Sequence, residues 1–226
     1  MKEVLQNKII LSASIACADF LRIGQVLHEI EEAGIQYIHC DIMDNHFVPN
    51  LMLSMDQVND LRRGTTLPFD IHIMAVDPAS IINRLVLREN DIVTIHYESV
   101  ANLNPIIHHI RSTGAKVGVA INPQTSCDEI LKFVDDIDMV LIMMVNPGFA
   151  GQSLVPGCIE KIQILSDKLD QMGYSHIIIE ADGNCSFKNI PHMYRAGADM
   201  LVVGTSSVFK KGQTIQEGIK QIIASL

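Results

Sequence analysis

The sequence predicts an α/β fold, a single (β/α)8 TIM barrel, and three observations favour it. Short apolar runs alternate with segments of helical period along the chain. Eight such strand–helix pairs in 226 residues give about 28 residues per pair, the spacing of parallel βαβ units. No composition shift or Ser/Pro-rich linker divides the chain, so residues 1–226 are predicted to form one domain. A doubly wound open sheet is the alternative, because periodicity alone does not show that a sheet closes.

Eight apolar runs are predicted as strands, each of strand length. In chain order they cover residues 9–14, 36–42, 69–73, 92–96, 116–121, 139–145, 176–181 and 200–203. Several segments between them repeat apolar residues at i, i+3, i+4 and i+7, which is typical of helices with one buried face. The predicted helices cover residues 21–33, 55–63, 79–88, 103–113, 127–134, 156–172, 188–196 and 214–226. Gly34, Gly114, Gly173 and Gly197 are predicted to end four of them.

The first predicted strand has a second interpretation as a secretory signal. It follows Lys2 and Lys8, and Ala16-Cys17-Ala18 has the pattern of a cleavage site. We interpret it as a buried strand, because the apolar stretch is short and two serines interrupt it. The five cysteines are odd in number and form no C-x-x-C pair, which indicates free thiols in a reducing compartment. A cytoplasmic protein is therefore expected.

Composition and charge exclude several classes of partner. The net charge is −9, and no run of Lys or Arg exceeds two residues, which disfavours nucleic acid and anionic membranes. The chain has no Trp and only 5% aromatic residues, so it lacks a base-stacking surface. No apolar run is long enough to span a membrane. We therefore expect a small-molecule ligand, with no nucleic-acid or membrane partner.

Histidines and carboxylates lie at the predicted carboxyl ends of three strands, the end at which barrels carry function. His39 and Asp41 end the second strand on one face, His72 ends the third, and Asp182 follows the seventh. Two imidazoles and two carboxylates suit a divalent cation such as Zn²⁺, Mn²⁺, Fe²⁺ or Co²⁺. Four unrelated polar residues that cap strands are the simpler alternative. Carboxylates from separate strands can also flank a substrate as acid and base.

Glycine-bearing loops follow the sixth, seventh and eighth predicted strands, and these loops contain no Lys or Arg. The residues concerned are Gly148, Phe149, Ala150, Gly151, Gly183, Asn184, Gly204 and Thr205. Backbone N–H groups and a helix N-terminus can bind a phosphate dianion without a cation. Barrels often bind phosphate after their seventh and eighth strands. Three ordinary turns are the alternative, but together the loops predict a phosphate site.

Other residues at strand ends bear on the chemistry. Met43, Met74 and Met143 are predicted either to pack in the core or to form the floor of a pocket. Residues 45–50 are predicted to build a wall of that pocket. His96 ends the fourth strand and is predicted to be structural or to support a neighbouring ligand. No lysine lies at the carboxyl end of a predicted strand, so a Schiff-base aldolase is not expected.

At these motifs the sequence resembles the ribulose-phosphate 3-epimerase family. The matching stretches are LSASIACADF at 11–20, HCDIMDNHFVPNL at 39–51, DIHIM at 70–74, GVAINPQT at 118–125, VNPGFAGQS at 145–153, IEADG at 179–183 and GADMLVVGTSSVF at 197–209. The stretches run in family order over nearly the whole chain. The resemblance implies a (β/α)8 barrel that catalyses metal-dependent C3 epimerisation of a ketose phosphate, D-ribulose 5-phosphate to D-xylulose 5-phosphate.

The resemblance also implies roles for individual residues. One divalent ion per subunit, with Zn²⁺ expected ahead of Fe²⁺, Mn²⁺ or Co²⁺, would be held by His39, Asp41, His72 and Asp182. Asp41 and Asp182 would be the acid–base pair that moves protons through a cis-enediolate. The substrate would contact Ser14, His72, Met43, Met74 and Met143, and the glycine-bearing loops would border its phosphate. A homo-oligomer, either a dimer or a hexamer, is expected.

Departures from the family pattern concern the sugar and leave the reaction type untouched. Ala150 and Asn184 replace glycines that are common in the pentose-phosphate enzymes. These loops look similar to the D-allulose 6-phosphate 3-epimerase branch, which makes that hexulose phosphate an alternative substrate. More remote alternatives are a metal-dependent aldolase and a non-catalytic sugar-phosphate binding barrel. The pair Asp41 and Asp182 argues against binding alone, because binding needs no opposed proton donors.

Overall fold

The protein is a closed barrel of eight parallel strands with helices between them. The computed structural model describes residues 9–226. Each barrel strand pairs with the next one along the chain, and the first strand pairs with the last. This closure confirms the (β/α)8 prediction over the open sheet. The first strand begins at Ile10, whereas Lys2 and Lys8 of the alternative signal pattern lie outside the described residues.

The elements follow the predicted order. The strands are β1 (Ile10–Ser14), β2 (Tyr37–Asp44), β3 (Leu51–Met52), β4 (Phe69–Met74), β5 (Ile92–His96), β6 (Lys116–Ile121), β7 (Met139–Met143), β8 (Ile178–Asp182) and β9 (Met200–Val203). The α-helices are α1 (Ile23–Ala33), α2 (Met55–Leu61), α3 (Pro78–Ile82), α4 (Asn104–Ser112), α5 (Cys158–Met172), α6 (Ile190–Arg195) and α7 (Ile215–Ser225). Short 3₁₀ turns cover Ile15–Cys17, Phe20–Arg22, Tyr97–Ser99, Cys127–Glu129 and Leu131–Phe133.

The helices cover the barrel with their apolar faces, as the sequence period predicts. Helix α1 buries Val26, Leu27, Ile30 and Ala33 against the strands. Gly34 follows it in the left-handed conformation (φ 85°), which a glycine adopts without steric cost. All five cysteines are free thiols. Among residues 9–226, no helix combines the length and the apolar character needed to cross a membrane.

The helix predicted over residues 79–88 is shorter than the sequence pattern suggested. Helix α3 ends at Ile82 instead of continuing to residue 88. The Asn59 side chain donates to Arg84 O at 2.9 Å, and Arg62 Nε donates to Val86 O at 2.7 Å. Tertiary hydrogen bonds therefore take the backbone groups that a longer helix would use.

Residues 127–134 form two 3₁₀ turns, and the α-helix predicted there is wrong. Lys161 of α5 binds the backbone of the residues that lead into this segment. Its ammonium group donates to the carbonyl oxygens of Asn122, Pro123 and Thr125 at 2.7–3.0 Å. The 3₁₀ turns then form hydrogen bonds between backbone groups three residues apart within the short connection to β7.

Residues 45–50 form a tight loop that returns the chain along β2. Asp44 accepts hydrogen bonds from the backbone N–H groups of His46 and Phe47 at 2.7 and 2.8 Å. The chain then adds strand β3, which pairs antiparallel to the end of β2. This short strand was not predicted, because two residues carry no readable period.

Register places the polar residues of neighbouring strands at one height in the barrel. Asp41 of β2 lies opposite His72 of β4, and Ser14 of β1 lies opposite His39. Asp182 of β8 lies opposite Met143 of β7. The side chains alternate between the barrel interior and the helices, so these residues converge at the carboxyl ends of the strands.

Candidate active site and metal centre

The two histidines and two aspartates predicted as metal ligands converge inside the carboxyl end of the barrel. One ligand atom from each of His39, Asp41, His72 and Asp182 lies within 4.8 Å of the others. His39 Nε2 is 3.2 Å from Asp41 Oδ1 and 3.8 Å from Asp182 Oδ2. His72 Nδ1 is 3.3 and 3.6 Å from the same two oxygens. Two ring nitrogens and two carboxylate oxygens therefore face a common point.

The donor set fits a divalent cation. His72 Nδ1 is buried and makes no hydrogen bond, although it faces two carboxylates. A buried imidazole nitrogen without a hydrogen-bond partner destabilises the folded state unless a ligand occupies the point that it faces. Two imidazoles and two carboxylates that face one point suit zinc and its neighbours among the transition metals.

Electrostatics of the cluster also favour a positive charge between the carboxylates. Burial alone lowers the pKa of His39, but the Asp70 and Asp41 carboxylates outweigh it and hold that pKa well above its usual value. Burial raises the pKa of Asp41, yet the His39 and His72 rings hold it below its usual range. The carboxylates thus stabilise positive charge at the rings, as they would stabilise a bound cation.

A second layer of carboxyl groups lies beneath the cluster. His39 Nδ1 is 2.5 Å from Asp70 Oδ2, which also accepts a hydrogen bond from Ser12 at 2.8 Å. This contact directs His39 Nε2 towards the common point. Glu180 is fully buried, and burial together with the nearby Asp70 carboxylate raises its pKa well above the usual value. Burial and the neighbouring carboxylate thus favour the protonated form of Glu180.

Sequence reasoning did not assign a role to Asp70 or Glu180. Each lies two residues before a predicted ligand, Asp70 before His72 and Glu180 before Asp182. The two-residue spacing puts each pair on the same, interior face of its strand. That spacing is the signal that could have identified them.

A cavity of about 250 Å³ opens above the cluster. Asp41 and Asp182 reach its floor, together with Met43, Met74 and Met143. Ser14 lines it as well, and its Oγ is 3.5 Å from Asp41 Oδ2. His39 and His72 are fully buried and lie outside the lining, so the substrate contact expected for His72 stays a prediction.

The glycine-bearing loops form the other end of the same cavity. Every residue predicted to border the phosphate lines it: Gly148, Phe149, Ala150, Gly151, Gly183, Asn184, Gly204 and Thr205. No Lys or Arg is among the lining residues. Cys17 also lines the cavity, and sequence reasoning gave it no role. Asn50, from the predicted wall at residues 45–50, and Gln152, from the loop after β7, line it as well.

Backbone geometry shapes this end of the cavity at two glycines. Gly183 has φ +114°, and a Cβ there would lie 2.7 Å from Val145 Cγ2. A Cβ at Gly204 would lie 2.8 Å from Cys17 Sγ. A helix N-terminus, one of the two phosphate donors considered from the sequence, was expected near Gly204, and this is wrong. Residues 205–209 form turns in which Gly204 O accepts from Ser207 N and Phe209 N. Backbone N–H groups of these loops and the hydroxyl groups of Thr205 and Ser206 are then the donors available to an anion.

Side-chain amides hold the loop at residues 146–153 over the cavity. Asn50 Nδ2 donates to Gly148 O at 2.7 Å. Gln152 Nε2 donates to Asn146 O and Phe149 O within the loop, at 2.7 and 2.8 Å. Asn184 Nδ2 donates to Gln152 O at 2.8 Å. Contacts from the loops after β2 and β8 thus fix the position of the loop after β7.

Comparison with known proteins agrees with this geometry. The profile of the Ribulose-phosphate 3 epimerase family matches residues 10–209. Ribulose-phosphate 3-epimerase of Treponema pallidum is 36% identical over 89% of this chain and 92% of that protein. The chloroplastic ribulose-5-phosphate-3-epimerase of Arabidopsis thaliana is 39% identical over 97% of this chain and 78% of that protein.

A solved structure of low sequence identity shows the same fold. N-(5'-phosphoribosyl)anthranilate isomerase from Pyrococcus furiosus is 13% identical, with a TM-score of 0.65 over 96% of this chain and 98% of its own. That likeness concerns the barrel alone. The profile and the curated relatives show more: the chain belongs to the ribulose-phosphate 3-epimerase family and is an epimerase, an isomerase-class enzyme that acts on carbohydrates.

Proposed function

We propose that the protein interconverts D-ribulose 5-phosphate and D-xylulose 5-phosphate by metal-dependent proton transfer at C3. The observation that carries the proposal is the position of Asp41 and Asp182. The two carboxylates come from different strands, reach the floor of one cavity, and face the same two histidines. The relatives named above are ribulose-phosphate 3-epimerases, which supports this substrate.

Inversion at C3 needs a base on one face of the carbon and an acid on the other. One aspartate removes the C3 proton and gives a cis-enediolate, and the other, protonated, returns a proton to the opposite face. Because the reaction is reversible, the acid of one direction is the base of the other. Asp41 and Asp182 are mostly buried, with 12% and 15% of their side chains exposed, so a substrate in the cavity would shield both carboxylates from water.

The cation would be held by His39, Asp41, His72 and Asp182. When bound, it supplies positive charge that stabilises the negative charge developing on the substrate oxygens. One ion per subunit, with Zn²⁺ ahead of Fe²⁺, Mn²⁺ or Co²⁺, remains our prediction, as do the homo-oligomer and the cytoplasmic location.

Phosphate recognition orients the sugar above the aspartates. The glycine-bearing loops surround the end of the cavity opposite the floor, and no cationic side chain lines it. Backbone N–H groups near Gly183 and Gly204 would bind the phosphate, which explains how a chain of net charge −9 accepts a dianion. Binding energy far from C3 then holds the reacting carbon in place.

The test is proton-exchange NMR in D₂O with a panel of ketose phosphates. Protein treated with a chelator and then reloaded with one divalent metal is expected to incorporate deuterium at C3 of D-ribulose 5-phosphate and to form D-xylulose 5-phosphate. Free D-ribulose is the control for the phosphate site. Exchange only with D-allulose 6-phosphate would move the proposal to the hexulose. A change in carbon number would identify an aldolase, and full activity without metal would refute the metal dependence.

A further inference from the structure

A second histidine lies directly behind the predicted metal ligand His72. His72 Nε2 and His96 Nε2 are 2.8 Å apart, and the two ring planes are nearly parallel, 23° apart, with centroids 4.9 Å apart. Both side chains are fully buried. His96 comes from β5, the strand next to β4, so the contact joins neighbouring strands inside the barrel.

His72, His96 and the Glu98 carboxylate form a row of side chains in contact. His96 Nδ1 is 3.2 Å from Glu98 Oε2. The other oxygen of Glu98 accepts hydrogen bonds from Asn122 N, at 2.8 Å, and from the Thr125 hydroxyl. Glu98 is thereby fixed by the loop after β6, and it fixes His96 in turn.

Proton positions along the row follow from the requirement for a metal. A histidine binds a cation through an unprotonated nitrogen, and His72 directs Nδ1 at the two aspartates. Its proton is then on Nε2 and is donated to His96 Nε2. His96 consequently carries its own proton on Nδ1 and donates it to Glu98. With His72 Nδ1 left unprotonated for the cation, this arrangement makes both contacts, His72 to His96 and His96 to Glu98, hydrogen bonds.

We propose that His96 and Glu98 are positioning residues that orient His72 and fix its tautomer for cation binding. The inference rests on the metal site of the proposed function. It gives the two ligand histidines equivalent support, since His39 contacts the Asp70 carboxylate directly and His72 reaches Glu98 through His96. Contacts of this kind contribute to metal affinity because they hold the ligand ring in place.

Two substitutions at His96 separate positioning from packing. His96→Phe keeps an aromatic ring against Phe47 and His72 but offers no acceptor for the His72 proton. His96→Gln loses the ring but keeps a carbonyl oxygen as acceptor. Positioning predicts that Phe is the more harmful change, whereas a packing role predicts that Gln is. His108→Phe, on the exposed face of α4, is the matched control.

The readout is the Zn²⁺ dissociation constant, measured by competition with a chromogenic chelator on the whole protein. We expect His96→Phe to weaken binding about 10- to 100-fold, His96→Gln to weaken it less, and His108→Phe to leave it unchanged. Glu98→Gln, which leaves both rings in place, is expected to weaken binding and provides the test if His96→Phe does not fold. Unfolding of the metal-free variants in urea measures stability separately.

Three outcomes would overturn the inference. Zn²⁺ affinity could be unchanged in His96→Phe, it could fall further in His96→Gln than in His96→Phe, or it could fall only in proportion to lost stability. If the unsubstituted protein binds no divalent cation, the metal site of the proposed function fails first. If it binds the cation and epimerises while His96→Phe binds equally well, only the positioning role fails.

Discussion

Replacing Asn184 by glycine tests whether its side chain holds the loop at residues 146–153 over the cavity. Asn184 has φ +48°, a conformation that glycine adopts freely. Its Nδ2 donates to Gln152 O at 2.8 Å, and its Oδ1 and carbonyl oxygen accept from Asn189 Nδ2. Asn184→Gly therefore removes the bond to the loop and leaves the backbone geometry allowed.

The expected magnitude follows from these contacts. Relief of the left-handed conformation stabilises the fold by about 1 kcal/mol, and the greater chain entropy of unfolded glycine offsets this by about 0.5–1 kcal/mol. Global stability should thus change little. The lost bond to Gln152 O is worth about 0.5–1.5 kcal/mol, which corresponds to a rise in KM of about 2- to 13-fold. Since Asn184 donates no proton to the reacting carbon, kcat should change less than KM.

The assay is steady-state epimerisation of the sugar phosphate, with hydrogen exchange of the backbone amides of residues 146–153. Asn45→Gly is the matched control, because Asn45 has φ +58° and is exposed. Faster exchange in the loop and a raised KM are expected for Asn184→Gly alone. Equal KM values for Asn184→Gly, Asn45→Gly and the unsubstituted protein would refute the reasoning.

Three further predictions concern the acid–base pair, the phosphate end and a surface carboxylate. Asp41→Asn and Asp182→Asn should each lower kcat at least ~10²-fold, and a variant that retains its metal and near-normal kcat would exclude that residue as a proton carrier. Gly204→Ala should raise KM, because the added methyl group blocks access of the phosphate to the backbone, and KM should stay raised when Cys17→Ala removes the clash with the Cys17 sulfur. Recovery of KM in the double variant would show that the clash with the sulfur was responsible instead. Glu31 accepts hydrogen bonds from Thr65 and Thr66, and these lower the pKa of its carboxyl group below 4.5. The ionised carboxylate therefore stabilises the folded state fully above pH 4.5, and this stabilisation is lost as the pH falls through the lowered pKa. Urea unfolding should therefore show that Glu31→Gln costs about 1 kcal/mol at pH 7 and less near pH 3, and an equal cost at both pH values would contradict a role for the charge.

Much of the fold was predictable because its signals are local. The period of Val26, Leu27 and Ile30 identifies the buried face of α1, and the glycine after the helix marks its end. The alternation of His39 and Asp41 puts both side chains on one face of β2 before any partner strand is known. The same short-range logic fails at residues 83–88, where Arg62 binds Val86 O, and at residues 127–134, where Lys161 holds the chain that leads into the segment.

Residue type and short spacing were enough to predict the alternation of strands and helices, the polar residues at strand ends and the lack of cations in the phosphate loops. Tertiary structure alone decided which of these residues meet. The register of β2 on β4 and the closure of β1 on β9 bring Asp41, His72 and Asp182 to one point. The contacts of Asp70 with His39 and of His96 with His72 join residues 31 and 24 positions apart. Such pairings depend on how strands align around a closed ring, and no local period encodes that alignment.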